Sequence, residues 1–389
     1  MSANPSKVRT AGPWTQPSYV SRPRHFKGDN AVERAYRFAN WMLAAPLSSI
    51  SGHNMLVARA QAFCRDYGIL LRGQVENINE AGGYTVPHEF GNDLIDLREE
   101  YGAFRRNTKI IPMISDSRSD PRRVGGLTAY WEDETDAMIA SQKSWDRVGL
   151  KAKKLTCLDR FSSEINEDSL VNFGDDLAGE IAYAFANKED NAGFNGDATS
   201  PYGGITGVIP KLKGLSATIA NIAGLVVATG AGYASNYNSI ILKDFHKVKG
   251  KLPQYALARG PKWYFHQSFW SEVVEGLMLA AGGVTSLEIA AGAPPRLLGY
   301  PVEIAQVLPN VSAVNQIVGL FGVLSMASRL GDRRQTTISL ADQVYWTTDE
   351  IGIKGTERLD IVVHDVGNAD SVAGNRVPGP IVGLITAAS

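Results

Sequence analysis

Residues 127–158 read LTAYWEDETDAMIASQKSWDRVGLKAKKLTCL, and the fold turns on this stretch. Leu127-Thr128-Ala129-Tyr130-Trp131 has the composition of a strand. Glu132, Asp133, Glu134 and Asp136 follow as an acidic run. From Trp145 to Leu158, the apolar Val148, Leu150, Ala152, Leu155 and Leu158 are set against Lys151, Lys153 and Lys154, a strand pattern. Two strands around a polar tip make a long hairpin. A hairpin alone is marginal in water. This one must lean on a second surface, in its own domain or on another subunit.

Working toward the N-terminus, an arginine-rich turn (Arg118, Arg122, Arg123, Gly125, Gly126) precedes the hairpin. Residues 105–113 read as an extended strand ending near Pro112, and Phe90, Leu94, Ile95 and Leu97 mark a helix. The texture changes at Gly82-Gly83-Tyr84-Thr85-Val86-Pro87. Earlier still, residues 55–67 read as a helix closed by Gly68. Another helix is expected over 31–45, capped by Asp29 or Asn30 and stopped by Pro46. Its Tyr36, Phe38 and Trp41 do not share one narrow stripe, which implies contact from two sides. Residues 1–28 carry Lys7, Arg9, Arg22, Arg24 and Lys27, no acidic residue and four prolines, so they read as an extended arm.

Toward the C-terminus, Asp168 or Ser169 caps a helix expected to reach about Asn191. Leu170, Phe173, Leu177, Ile181 and Phe185 form its apolar stripe. Gly174 and Gly179 each cost about 1 kcal/mol against Ala, so a kink, or a start at Asp175, is expected. Gly193 and Asn195-Gly196-Asp197 end it. Residues 212–325 are mixed, with helices at 236–247 and 268–281 and strands at 262–266 and 301–305. Strands follow at 336–340, 344–347, 350–354 and 359–363, and the Gly- and Pro-rich residues 367–389 read as a tail.

The 389 residues, 44% of them hydrophobic, allow two or three compact units. A net charge of −1 argues against a protein whose whole surface grips nucleic acid. Cys64 and Cys157 are too few for a disulfide framework; they read as reduced thiols or as an inter-chain pair. The start of the chain lacks the apolar core of a secretory signal. The uncharged runs 215–242 and 305–328 are too polar to span a membrane.

No catalytic constellation emerges, and neither a cofactor nor a metal is expected. His25, His53, His88, His246, His266 and His364 are scattered, without metal-ligand spacing on one helix. His266 reads as a satisfied core histidine. Asp175 and Asp176 are adjacent and point to different sides of a helix, which rules out an acid/base pair on one substrate. Gly230-Ala231-Gly232 lacks the third glycine of a dinucleotide loop.

In their order, these pieces resemble the major capsid proteins of tailed phages, which share the Hong Kong 97-type fold. Gly82 to Pro87 is similar to the start of the mature N-arm; Tyr130-Trp131, the acidic run and Trp145 through Leu155 resemble the extended loop. Glu164-Ile165-Asn166-Glu167-Asp168-Ser169, the long helix and Phe194-Asn195-Gly196-Asp197 resemble the spine-helix segment, and Gly204-Ile205 with Gly207 the turn after it. Gly299-Tyr300-Pro301-Val302 resembles the strand entry of the axial domain, and Arg358-Leu359-Asp360-Ile361 the last strand of the peripheral domain.

The resemblance implies an α+β, Hong Kong 97-like capsid fold. Its parts would be an N-terminal extension (1–81), an N-arm (82–113), the extended loop (114–157), a peripheral domain with its spine helix (158–211) and later strands (331–366), an axial domain (212–330) and a C-terminal tail (367–389). The chain would self-assemble into pentamers and hexamers of an icosahedral head around double-stranded DNA, built in the host bacterial cytoplasm. Portal, scaffolding and decoration proteins would be partners, DNA contacts weak, and no membrane is involved. Glycines 125, 126, 174 and 179 would serve as joints. An encapsulin-like nanocompartment shell is one alternative, and a soluble enzyme with a non-local site is another.

The expected intersubunit residues follow from the loop. Trp131, Glu132, Asp133, Glu134, Asp136 and Trp145 would lie over a neighbour. Arg105, Arg106, Arg122 and Arg123, or Lys151, Lys153 and Lys154, would face the acidic run. In the family's prototype a loop lysine joins an asparagine of a neighbour, helped by a glutamate. Alignment puts Met138, Asp349 and Thr356 at those three positions, with Lys143 and Glu357 nearby, so a shell without that crosslink is expected. Residues 1–81 are expected to be retained, their two helices clamping the same or an adjacent subunit.

Overall fold

The structure is a computed structural model that describes residues 31–44, 55–69, 83–85, 102–123, 145–162, 170–229, 237, 240–281, 295–341 and 350–387. The chain divides into two compact units. One takes residues 1–106, 154–190 and 334–358; the other takes 107–153, 191–333 and 359–389.

The first unit is built around helices. In α1 (Ala31–Ala44), Ala35, Phe38 and Met42 recur three and four residues apart, and all three are buried. Trp41 is buried beside them, while Tyr36 turns to Phe63 of α2 (Met55–Asp66), so the aromatics of α1 do serve two sides. After α2, Gly68 takes the left-handed conformation (φ 68°) that a Cβ disfavours, and the Ile69 N–H donates to the Cys64 carbonyl at 2.8 Å. That turn sends Ile69 back into the core. The helix expected from Asp168 or Ser169 is α4 (Leu170–Asn195), with a shorter helix, α3 (Ala103–Asn107), ahead of it in the chain. Leu177, Ile181 and Phe185 of α4 meet α1 and α2 in one core, joined by Ile338 and Ile353.

Those two isoleucines come from long strands. The sheet runs in the order β1 (Gly83–Thr85), β11 (Ser328–Ala341), β12 (Glu350–Val363), β5 (Lys153–Ser162). β1 lies antiparallel on β11, with Tyr84 opposite Ile338.

The second unit centres on a six-stranded mixed sheet. Its order is β6 (Leu225–Val227), β13 (Ile381–Ile385), β10 (Ile317–Gly322), β7 (Lys262–Phe265), β9 (Tyr300–Ile304), β8 (Arg296–Leu297). Every residue of β10 and β13 is buried, as expected of strands covered on both faces. Its core is aromatic: Trp263 stacks on Phe321 with centroids 4.2 Å apart, and Phe245 meets Trp263 edge-on. Phe245 and Val248 are the inward residues of the helix α5 (Leu242–Lys251). Asp244 of the same helix is fully buried, where it accepts from the Thr229 N–H and hydroxyl and pairs with Lys247 at 3.2 Å. The loop after α4 is closed at its neck by backbone alone. The Gly207 N–H donates to the Gly196 carbonyl at 2.7 Å and the Ala198 N–H to the Ile205 carbonyl at 2.9 Å. A Cβ on Gly196 would lie 2.5 Å from the Ala192 carbonyl oxygen, so the neck admits only glycine there.

Several expectations need correcting. Residues 105–113 are not one strand: 103–107 form α3, and only β2 (Lys109–Pro112) is extended, running parallel to β11. Arg118, Arg122 and Arg123 of the arginine-rich turn lie in a strand, β3 (Ser117–Arg123), while its Gly125 and Gly126 lie outside the described residues. α4 runs past Asn191 and Gly193 and ends at Asn195, in the Asn195-Gly196-Asp197 stop that the sequence marks. The helix expected over 236–247 begins at Leu242. The helix expected over 268–281 contains a π-helical turn at Trp270–Val274. The strands expected at 350–354 and 359–363 are one strand, β12. Residues 367–389, read as a tail, contain β13, which sits between β6 and β10. The expected helix around Phe90 to Leu97 and the strand at 344–347 lie outside the described residues. Among the described residues, no helix is long and apolar enough to cross a membrane.

A candidate intersubunit surface on the basic hairpin

The first strand of the expected hairpin, residues 127–131, lies outside the described residues. β3 pairs antiparallel with β4 (Trp145–Lys151), with Ser117 opposite Lys151 and Arg123 opposite Trp145. Side chains directly opposite in such a pair share a face, so the register sorts the hairpin into two faces.

The inner face holds Val148 and Leu150, both buried. Leu150 and Ala152 join Met113 and the partly buried Val362 in a small core. Opposite them stand Arg118, Asp120 and Arg122. Asp120 bridges Arg118 at 3.1 Å and Arg329 at 2.9 Å. Arg122 pairs with Asp146 at 3.4 Å and donates to the His364 carbonyl. His364 is held neutral: burial, then the Arg329 guanidinium, push its pKa down to about 4. Arg122, through the His364 carbonyl, and Asp120, through Arg329, therefore fasten the hairpin to its own unit.

The outer face carries Trp145, Arg147, Gly149 and Lys151, all exposed, with Trp145 at 62%. Just beyond Lys151, the buried Asp360 accepts from the Lys151 backbone N–H at 2.7 Å and pairs with the Lys153 ammonium at 2.9 Å. One carboxylate thus anchors the junction of β4 and β5, and the Lys151 side chain stays in solvent. An exposed indole beside cations is a surface suited to an acidic, partly apolar partner.

The expected contact residues separate on this geometry. Trp145 and Lys151 are exposed on the outer face; Lys154 and Arg106 are also exposed. Arg122 and Lys153 are committed within the subunit. Arg105 must be removed from the set. It is 2% exposed and pairs with the buried Glu189 at 3.2 Å. Next to that pair, both Asp190 oxygens accept the first N–H groups of α3, from Phe104 at 2.8 Å and Ala103 at 2.9 Å. Burial still raises the Asp190 pKa to about 6, against the pull of those two N–H groups. Trp131, Glu132, Asp133, Glu134 and Asp136 lie outside the described residues, as do Met138, Lys143 and Asp349. Thr356 and Glu357 are buried. Sequence reading missed Arg147 and the anchors Asp120 and Asp360. The alternation that marked Val148 and Leu150 as inward already placed Arg147 outward. Among the described residues no group of acidic, histidine and cysteine side chains forms a metal site, and His266 caps a short helix by accepting from the Ser268 N–H.

Comparison with known proteins agrees with this architecture. Residues 82–368 match the model of the phage capsid family. A major capsid protein of Klebsiella oxytoca phage phiKO2 is 26% identical over 120 residues, which is 31% of this chain and 28% of that relative's length. Among solved structures, the capsid of a native GTA particle computed with C5 symmetry superposes with a TM-score of 0.55 at 19% identity, covering 86% of this chain and 100% of that one. A structure from Mycobacterium phage Adephagia gives 0.52 at 16% identity, covering 73% of this chain and 89% of that one. Likeness at these identities speaks to the fold. The family match extends over most of the chain, and this protein belongs to the phage capsid family.

Proposed function

We propose that this chain is the major capsid protein of a tailed bacteriophage, assembling into the pentamers and hexamers of an icosahedral head that encloses double-stranded DNA. The observation that carries the reading is the family match across residues 82–368. The hairpin supports it. Its inner face is pinned by Arg122 and Arg329, and its outer face presents Trp145, Arg147 and Lys151 to solvent. On this reading the outer face receives the acidic run 132–136 of a neighbouring copy. The virion is the place of action, the host bacterial cytoplasm the place of assembly, and portal, scaffolding and decoration proteins the further partners. Each exposed pair gives about 0–1 kcal/mol, so the charges set register and the apolar contacts supply strength.

Electron microscopy of the purified protein tests the reading. Closed shells, eluting in the void volume of a gel-filtration column, are expected. A stable monomer or small oligomer under all assembly conditions would overturn it, and shells packed with a folded enzyme would mark a nanocompartment instead. For the hairpin, reversing Glu132 to Asp136 to lysine should block assembly and leave the subunit folded. Normal shells from that variant would exclude the proposed pairing.

A further inference from the structure

Residues 31–69 lie ahead of the family-matched part of the chain, which begins at residue 82. By position alone they look like a leader that processing could discard. Their packing argues the opposite. Phe38, Trp41 and Cys64 are fully buried, and they share one core with Leu177, Ile181 and Phe185 of α4. The strand residues Ile338 and Ile353 complete that core. Neither side is closed without the other: taking the hairpin away would strip an apolar stripe of α4 and would expose the Trp41 and Phe38 rings.

The hairpin is also a unit in itself. Tyr36 meets Phe63 edge-on with centroids 5.2 Å apart, and Phe63 lies 4.4 Å from Tyr67. The Arg37 guanidinium sits 5.2 Å over the Tyr67 ring while pairing with Glu33 at 2.9 Å. The turn at Gly68 folds Ile69 back under the pair. These contacts tie α1 to α2.

We infer that the α1–α2 hairpin is a permanent part of the subunit, seated on α4 by its apolar face, so that a chain cut between residues 70 and 81 leaves it in place. The apolar face of α4 is then filled by this chain's own residues and is closed to a separate scaffolding or cementing protein. The inference stands on the packing of one subunit and holds whether or not shells form.

The test places an engineered protease recognition sequence at residues 73–79 of the full chain. After complete cleavage in native buffer, the N-terminal fragment should co-elute with the remainder on gel filtration and separate only in denaturant. A fragment that elutes alone, with the remainder still folded by circular dichroism, would overturn the inference. Should the cut protein precipitate, the uncut chain decides. Cys64 should resist a thiol reagent under native conditions and react fully after unfolding, because its sulfur is inside the shared core. Native labelling of Cys64 at the rate of a free thiol would also overturn it.

Discussion

The two units solve the same problem with different materials. The first unit joins aliphatic and aromatic side chains from two N-terminal helices to a long helix and two strands far along the chain. The second stacks aromatic rings on a mixed sheet whose central strands are buried on both faces. Their titrating groups differ in the same way. Near α3 the first unit buries a carboxylate, Asp190, whose pKa rises to about 6. Behind the hairpin the second half-buries an imidazole, His364, whose pKa falls to about 4. The lesson is that burial moves both groups toward their neutral forms, and the pH responses therefore oppose each other.

The largest effects should come from the cores. Trp41→Ala and Trp263→Ala each empty a fully buried ring site, at about 3–5 kcal/mol in urea denaturation. If the units are energetically separate, Trp41→Ala should leave near-ultraviolet signals from the aromatic sheet in place until its own transition. One shared, shifted transition for both variants would merge them. Arg105→Ala should cost a similar amount, about 3–5 kcal/mol, because it leaves the buried Glu189 charge without its guanidinium.

The pH responses come next. The Asp190 shift from 3.8 to about 6 corresponds to roughly 3 kcal/mol. The raised pKa means the folded state favours the protonated acid. That contribution is complete below pH 3.8 and is lost as pH rises through about 6. Relative to wild type, Asp190→Asn should therefore gain stability between pH 4 and 7, and parallel pH curves for the two proteins would contradict the assignment. For His364 the sign reverses. Its folded state favours the neutral ring, so the contribution is present above pH 6.5 and is lost as pH falls toward 4. His364→Gln should flatten the acid limb of the curve.

The smallest change should be at the hairpin's anchor. Lys153→Ala removes a partly exposed partner of Asp360, which should cost about 1 kcal/mol. Asp360 keeps its bond from the Lys151 N–H. A cost equal to that of Arg105→Ala would erase the contrast between the buried pair and the half-exposed one.

Sequence pattern revealed elements whose signal is local. β4 was legible because Val148 and Leu150 alternate with polar residues, and α4 because Leu177, Ile181 and Phe185 hold helical spacing. β3 was not. Ser-Arg-Ser-Asp-Pro-Arg-Arg has no apolar period, and the strand exists because β4 lies beside it. α3 was missed because its cap, Asp190, is far along the chain. β13 was hidden by Pro380 and Gly383, although Ile381, Val382, Leu384 and Ile385 form the short apolar run of a doubly covered strand. At the candidate surface, Trp145 and Lys151 stand exposed. Arg105 misled because its charge is visible in sequence and its buried partner Glu189 is not.

The stitched neck at Gly196 and Gly207 makes the loop it closes a natural display platform. Its ends are fixed to each other by the backbone, and Asp197 to Pro201 are exposed. A foreign peptide grafted between Ser200 and Pro201 would lengthen an already closed loop, and loop entropy grows only slowly with length. An inserted epitope of about ten residues should cost the subunit on the order of 1 kcal/mol or less, whereas the same insertion in β13 should abolish folding. Antibody capture of the folded subunit would reveal whether the platform carries its passenger.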